Sequence, residues 1–82
     1  MSKKRKLLAK ARRGSELTFA ELLQLAKYLG YDLNQISGSH HVMTHPSADK
    51  MILQPRQGKA KDYQVKQLLD AIDQFNLTVG EE

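Results

Sequence analysis

An α+β fold is the class this sequence predicts: one helix, three antiparallel strands and a last helix, with both helices on one face of the sheet. Two apolar stripes at helical spacing, around residues 18–29 and 62–75, sit near either end of the 82-residue chain. Between them, residues 31–54 break into short extended runs separated by Gly-Ser and Pro-Ser turn signals. Each stripe needs an apolar surface, and one face of the sheet serves both.

The first well-marked helix opens at Thr18. Thr18 and Glu21 form a Thr-x-x-Glu capping box, with Leu17 and Leu22 spaced for a hydrophobic staple. Phe19, Leu22, Leu23, Leu25, Ala26 and Leu29 supply the stripe, and Gly30 the left-handed stop. Tyr31 to Ser37 reads as a strand in which Leu33 and Ile36 differ in parity, the mark of a bulge. Gly38-Ser39 suits a type II′ hairpin turn, with Gly at the first central position. The second strand is His40 to His45, the next turn Pro46 to Asp49, and the third strand Lys50 to Gln54. A loop over residues 55–61 leads to Asp62, read as the cap of a helix with stripe Val65, Leu68, Leu69, Ile72 and Phe75. The expected organisation is a basic arm over 1–14, in which Leu7, Leu8 and Ala11 are spaced for a short helix, a domain over 15–78 and a frayed tail over 79–82.

Charge divides unevenly. The arm holds seven of the thirteen Lys and Arg residues and no acid, so the rest of the chain, with all nine acids, is net −3. Four of the six remaining basic residues fall between Arg56 and Lys66. A basic arm is often only a solubilising tail; its functional reading is sequence-blind attraction to phosphate. The chain has no cysteine, which excludes thiolate sites and disulfides and fits a reducing cytoplasm. No apolar run approaches the roughly 20 residues that span a bilayer, and Lys10, Arg12 and Arg13 interrupt any signal-peptide core. The expectation is a soluble, cytoplasmic protein with no membrane partner.

The run SGSHHVMTH, residues 37–45, concentrates the chemistry. On a helix, His41-x-x-x-His45 would present both rings to one metal ion. Val42, Thr44 and the flanking turns favour extended chain, where residues four apart are separated by about 13 Å, against His–Zn bonds of about 2 Å. No cysteine, and no acid before Asp49, completes a ligand set, so neither metal nor cofactor is expected. As partly exposed strand residues, His41 and His45 need no task. His40 stands first after the turn, where its backbone is held and its imidazole can reach solvent. An ordinary imidazole titrates near pH 6.5, which makes proton transfer the chemistry most available to this chain.

The segment GSHHVMTHP, followed by ILQPRQGKAKDYQVKQLLDAI, resembles the HicA (YcfA-like) toxins of bacterial toxin–antitoxin pairs, and the likeness runs from about Leu17 to Leu77. The resemblance implies a double-stranded-RNA-binding-domain-like α-β-β-β-α fold and an endoribonuclease that cuts mRNA and arrests growth. It implies a chain that is monomeric alone and forms a hetero-oligomer with an inhibiting HicB-type antitoxin. The family's catalytic histidine, that of Gly-Ser-His, falls on His40. Metal-free cleavage needs a base on the 2′-hydroxyl and positive charge on the phosphorane. His40 is the candidate base, Gly38 and Ser39 set its position at the RNA, and Arg56, Lys59 and Lys61 are the candidate phosphate contacts. The products expected are a 2′,3′-cyclic phosphate and a 5′-hydroxyl, with DNA inert.

One departure stands out. Many relatives carry a histidine in a Pro-Arg-His context where this chain has Pro55-Arg56-Gln57, and glutamine shuttles no proton. A general acid must then come from His41, His45, Lys59 or water. Two other readings compete: a non-catalytic RNA-binding module on the same fold, and an adaptor whose helix stripes bind a protein.

Overall fold

The structure is a computed structural model and describes residues 3–80. It contains α1 (Lys3–Arg12), α2 (Phe19–Tyr28), β1 (Asp32–Ser37), β2 (His40–His45), β3 (Ala48–Leu53) and α3 (Asp62–Phe75). The strands form one antiparallel sheet in the order β1-β2-β3. The segment α2 to α3 thus has the helix, three strands, helix order of the double-stranded-RNA-binding-domain-like fold.

The core lies between the sheet and the helices. Met43 on β2 and Met51 and Leu53 on β3 pack with Leu22, Leu25 and Ala26 of α2 and Leu68, Ala71 and Ile72 of α3. Burying a side chain of this size stabilises the fold by about 1.5–3 kcal/mol. Met43 therefore faces the helices, and alternation puts His41 and His45 on that side and His40 and Val42 on the open face. The α2 capping box is present in both directions, Thr18 Oγ1 accepting from Glu21 N–H and Glu21 Oε1 accepting from Thr18 N–H. Leu17 and Leu22 are both buried.

The bulge in β1 falls between Leu33 and Gln35. It sets Leu33 opposite Met43 and Ile36 opposite His41, so both apolar side chains project on the helix side of the sheet. β1 is an edge strand, and Leu33 and Ile36 on it are exposed.

The short helix expected from Leu7, Leu8 and Ala11 is present as α1 and is docked: Ala11 is buried, Leu7 and Leu8 pack on the core, and Arg12 reaches Asp73 of α3 at 3.7 Å. Three expectations need correction. Asp62 is not the cap of α3; Lys61 holds that position without a side-chain bond, and its carbonyl accepts from Gln64 and Val65 N–H. Asp62 instead sits in the first turn, where a carboxylate is favoured by the helix dipole. The second hairpin turns on Pro46-Ser47 alone, so β3 starts at Ala48, two residues early. Last, the chain expected to fray over 79–82 is held at Val79, which is 7% exposed, while residues 81 and 82 lie outside the described residues. The α3 helix ends on Asn76 in the left-handed conformation, and this turns Leu77 inward.

Candidate functional site

Three segments meet at the Gly38 end of the sheet. The first is the β1–β2 hairpin. Positive φ occurs at Gly38 (+60°) and not at Ser39, as a type II′ turn requires. His40 follows as the first residue of β2, paired with Ser37. It is exposed, and among the described residues its side chain has no hydrogen bond, ion pair or ring partner. His41 on the opposite face is held: Nδ1–H donates to Ser39 O at 3.0 Å, and the ring meets Phe19 edge-on at 4.9 Å between centroids. With the proton on Nδ1, Nε2 carries the lone pair.

The second segment is the stretch read as a loop. It is a miniature hairpin in which Arg56 and Lys59 exchange both backbone hydrogen bonds at 3.0 Å around Gln57-Gly58. Both central residues have positive φ, +53° and +78°, as in a type I′ turn. Arg56 and Lys59 are thereby directly opposite, an arrangement of like charges that is locally unfavourable. Glu16 offsets part of it through a 3.2 Å contact with Lys59 Nζ. The third segment is the start of α2, to which this hairpin is stitched: Phe19 N–H donates to Gly58 O at 2.9 Å, and Ala60 N–H to Leu17 O at 3.0 Å. Phe19 thus touches both the hairpin turn and His41.

Gln64, which carries no motif, fixes the other side. Its amide is almost fully buried on α3. Oriented to satisfy both groups, it donates to Gln54 O at 3.0 Å and accepts from Gln54 N–H at 3.1 Å, as a neighbouring strand would. Tyr63 beside it is 61% exposed, with Lys61 Nζ 5.8 Å from its ring centroid. Sequence reasoning passed over both residues. The signal available was a Tyr-Gln pair in the first turn of an amphipathic helix, one residue off the core stripe.

A cleft of about 760 Å³ opens between these parts, lined by the cations Arg56, Lys59 and Lys61, the carboxylates Glu16 and Asp62, and Gln54 and Tyr63. The structure therefore brings Arg56, Lys59 and Lys61 together. No histidine lines the cleft. His40 and His41 stand at the neighbouring hairpin; the chain leaves β3 at Gln54, one residue beyond the Leu53–His41 pair.

His45 belongs to the other end of β2. Its Nδ1 accepts from Ser47 N–H at 2.9 Å, which leaves the proton on Nε2 to donate to Leu29 O at 3.0 Å. Tyr31 packs edge-on at 4.9 Å. A Cβ on Gly30 would lie 2.7 Å from Nε2, so this position needs glycine for space as well as for its φ of +103°. With both ring nitrogens in use, His45 ties β2 to the end of α2 and is not placed to act as a general acid at the Gly38 end. The buried Tyr31 hydroxyl donates to Asp49 O at 3.4 Å, and burial, then the Asp49 charge, raises its pKa above the ordinary phenol range.

Among the described residues no three His, Asp or Glu side chains converge as metal ligands, and no helix is long and apolar enough to cross a membrane. No family model, no curated protein and no solved structure matches the chain.

Proposed function

We propose that this chain is a metal-independent endoribonuclease of toxin type, resembling HicA, that cleaves mRNA in the cytoplasm and is restrained by a HicB-type antitoxin. The observation that carries the reading is the Gly38 end of the sheet, where the His40 imidazole, with no partner among the described residues, and an oriented His41 stand on the hairpin, while the segment that follows β3 gathers Arg56, Lys59 and Lys61 in one cleft together with Glu16 and Asp62. In this reading His40 takes the proton from the 2′-hydroxyl, and the freed oxygen attacks the adjacent phosphorus. Arg56, Lys59 and Lys61 offset the charge of the phosphorane. The bond from phosphorus to the 5′-oxygen then breaks, and that oxygen receives a proton from water or from His41 in its imidazolium form, the form in which Nε2 as well as Nδ1 carries a proton. The cyclic phosphate and the 5′-hydroxyl are the products. Gln57 takes no part in proton transfer.

A second reading, a non-catalytic RNA-binding module, draws on the absence of histidine from the cleft lining. One experiment separates them. Wild type, His40→Ala and His41→Ala are incubated with single-stranded RNA in excess EDTA, the product ends are analysed, and binding is measured alongside. Cleavage by wild type to cyclic-phosphate ends, lost in His40→Ala with binding intact, supports the nuclease. Loss in His41→Ala alone moves the base to His41. Equal binding by all three without cleavage over hours leaves the binding module.

A further inference from the structure

Of the six basic residues of α1, Lys3, Lys6 and Lys10, continued by Arg13 in the turn that follows, recur at i, i+3, i+7 and i+10, the spacing of one helix face. They line a shallow groove together with Leu7 and Glu21. On the other side of α1, Leu8 and Ala11 hold the helix to the body of the protein, and Leu7, between the two faces, packs on the core as well. Lys10 is engaged, its Nζ 2.9 Å from Glu21 Oε2. Lys3, Lys6 and Arg13 have no side-chain partner among the described residues.

Three features select the kind of ligand. From Lys3 to Arg13 the row spans about 15 Å at 1.5 Å per residue, the length of about four phosphates in a stacked strand at about 3.4 Å each. No exposed aromatic lies in the groove, and lysine is depleted from the cores of protein–protein interfaces, so the surface is a poor protein dock. The row is also continuous with the candidate site: Lys10 binds Glu21, Glu21 caps Thr18, and Thr18 bridges to Lys59. We infer that this face of α1 is a second RNA-binding surface, a ridge of cations that tracks the phosphate backbone of a strand running past the cleft. The inference rests on the RNA reading above but not on cleavage.

The test uses the full chain in a His40→Ala background, so that the RNA stays intact, and compares it with the same protein carrying Lys3→Ala, Lys6→Ala and Arg13→Ala. Affinity for a labelled single-stranded RNA of about 20 nucleotides is measured by anisotropy from about 50 to 300 mM KCl. At about 0.7 counterions per phosphate contact, losing three contacts lowers the slope of log K against log salt by about 2, and weakens binding near 0.15 M roughly 50-fold. A charge-preserving variant, Lys3→Arg, Lys6→Arg and Arg13→Lys, keeps the slope, and circular dichroism shows all three proteins folded. An unchanged slope in the alanine variant overturns the ridge while leaving the nuclease reading intact. A reduced slope with a wild type that never cleaves keeps the ridge and removes the nuclease. No RNA binding by any variant removes both.

Discussion

The two ends of β2 contain the same ingredients and use them differently. Each has a two-residue hairpin turn, a histidine beside it and a glycine of positive φ nearby. At the Pro46 end every polar atom of His45 is occupied, Gly30 is packed against its ring, and Tyr31 closes the edge. At the Gly38 end the glycine faces open space and His40 has no partner among the described residues. An imidazole whose two nitrogens are committed to backbone groups contributes to stability. One whose nitrogens bond no other described residue contributes little to stability and is available for chemistry.

The largest effect that would sharpen this contrast is at His40. His40→Ala should lower RNA cleavage by about 10²–10⁴-fold, while urea denaturation places its stability within about 0.5 kcal/mol of wild type. A destabilisation of several kcal/mol would show that His40 is structural after all. The mirror-image experiment is Gly30→Ala, which strains a backbone at φ +103° and drives a Cβ into His45. A loss on the order of 3 kcal/mol is expected from the left-handed conformation and the displaced hydrogen bonds together. Cleavage per folded molecule should stay at the wild-type level, and a selective fall in cleavage would break the separation of the two ends.

Smaller effects test how the Gly38 end is held. Thr18→Ala should cost about 1 kcal/mol through loss of the capping box. The same box has a pH signature. The Thr18 backbone N–H, and then the Lys10 ammonium, hold the Glu21 carboxyl below the ordinary carboxylate value of 4.5. A depressed folded pKa gives stability that is present above the unfolded value and lost as pH falls through the folded one. Wild type should therefore lose stability below about pH 4.5 more steeply than Glu21→Gln, as followed by thermal melts across that range. The smallest effect expected is a gain: Gln57→Gly relieves a left-handed glutamine and should stabilise by up to about 1 kcal/mol. Cleavage that falls in this variant with the hairpin intact would give Gln57 a role that the mechanism above withholds.

What could be read from the sequence follows how local each determinant is. The capping box at Thr18, the Gly38 turn, the span of β2 and the bulge in β1 are set by residues within a few positions of one another, and all were readable. The docking of α1 was harder to see, because seven cations obscure an apolar strip of only Leu7, Leu8 and Ala11, and its partners lie elsewhere in the chain. The Asp62 assignment followed residue preference at helix starts, but Lys61 already had the backbone conformation of a cap. The Arg56–Lys59 hairpin was hidden because Gln-Gly is a weaker signal for a type I′ turn than Asn-Gly. His45 could not be distinguished from His41 by spacing. Its commitment depends on Leu29 and Gly30, brought to it by the fold.

The hydrogen bonds from Phe19 to Gly58 and from Ala60 to Leu17 also set when the site can come into being. Its parts come from residues 17–19, 38–41 and 54–64, and the core beneath it needs Leu68 and Ile72 of α3. Such contacts, about forty residues apart in sequence, form only after the intervening chain has been made and loop-closure entropy overcome. A growing polypeptide that has passed the histidines but not α3 holds every imidazole and no assembled cleft. Under the proposed activity, the translation apparatus that makes this chain is exposed to it only after synthesis has passed through α3.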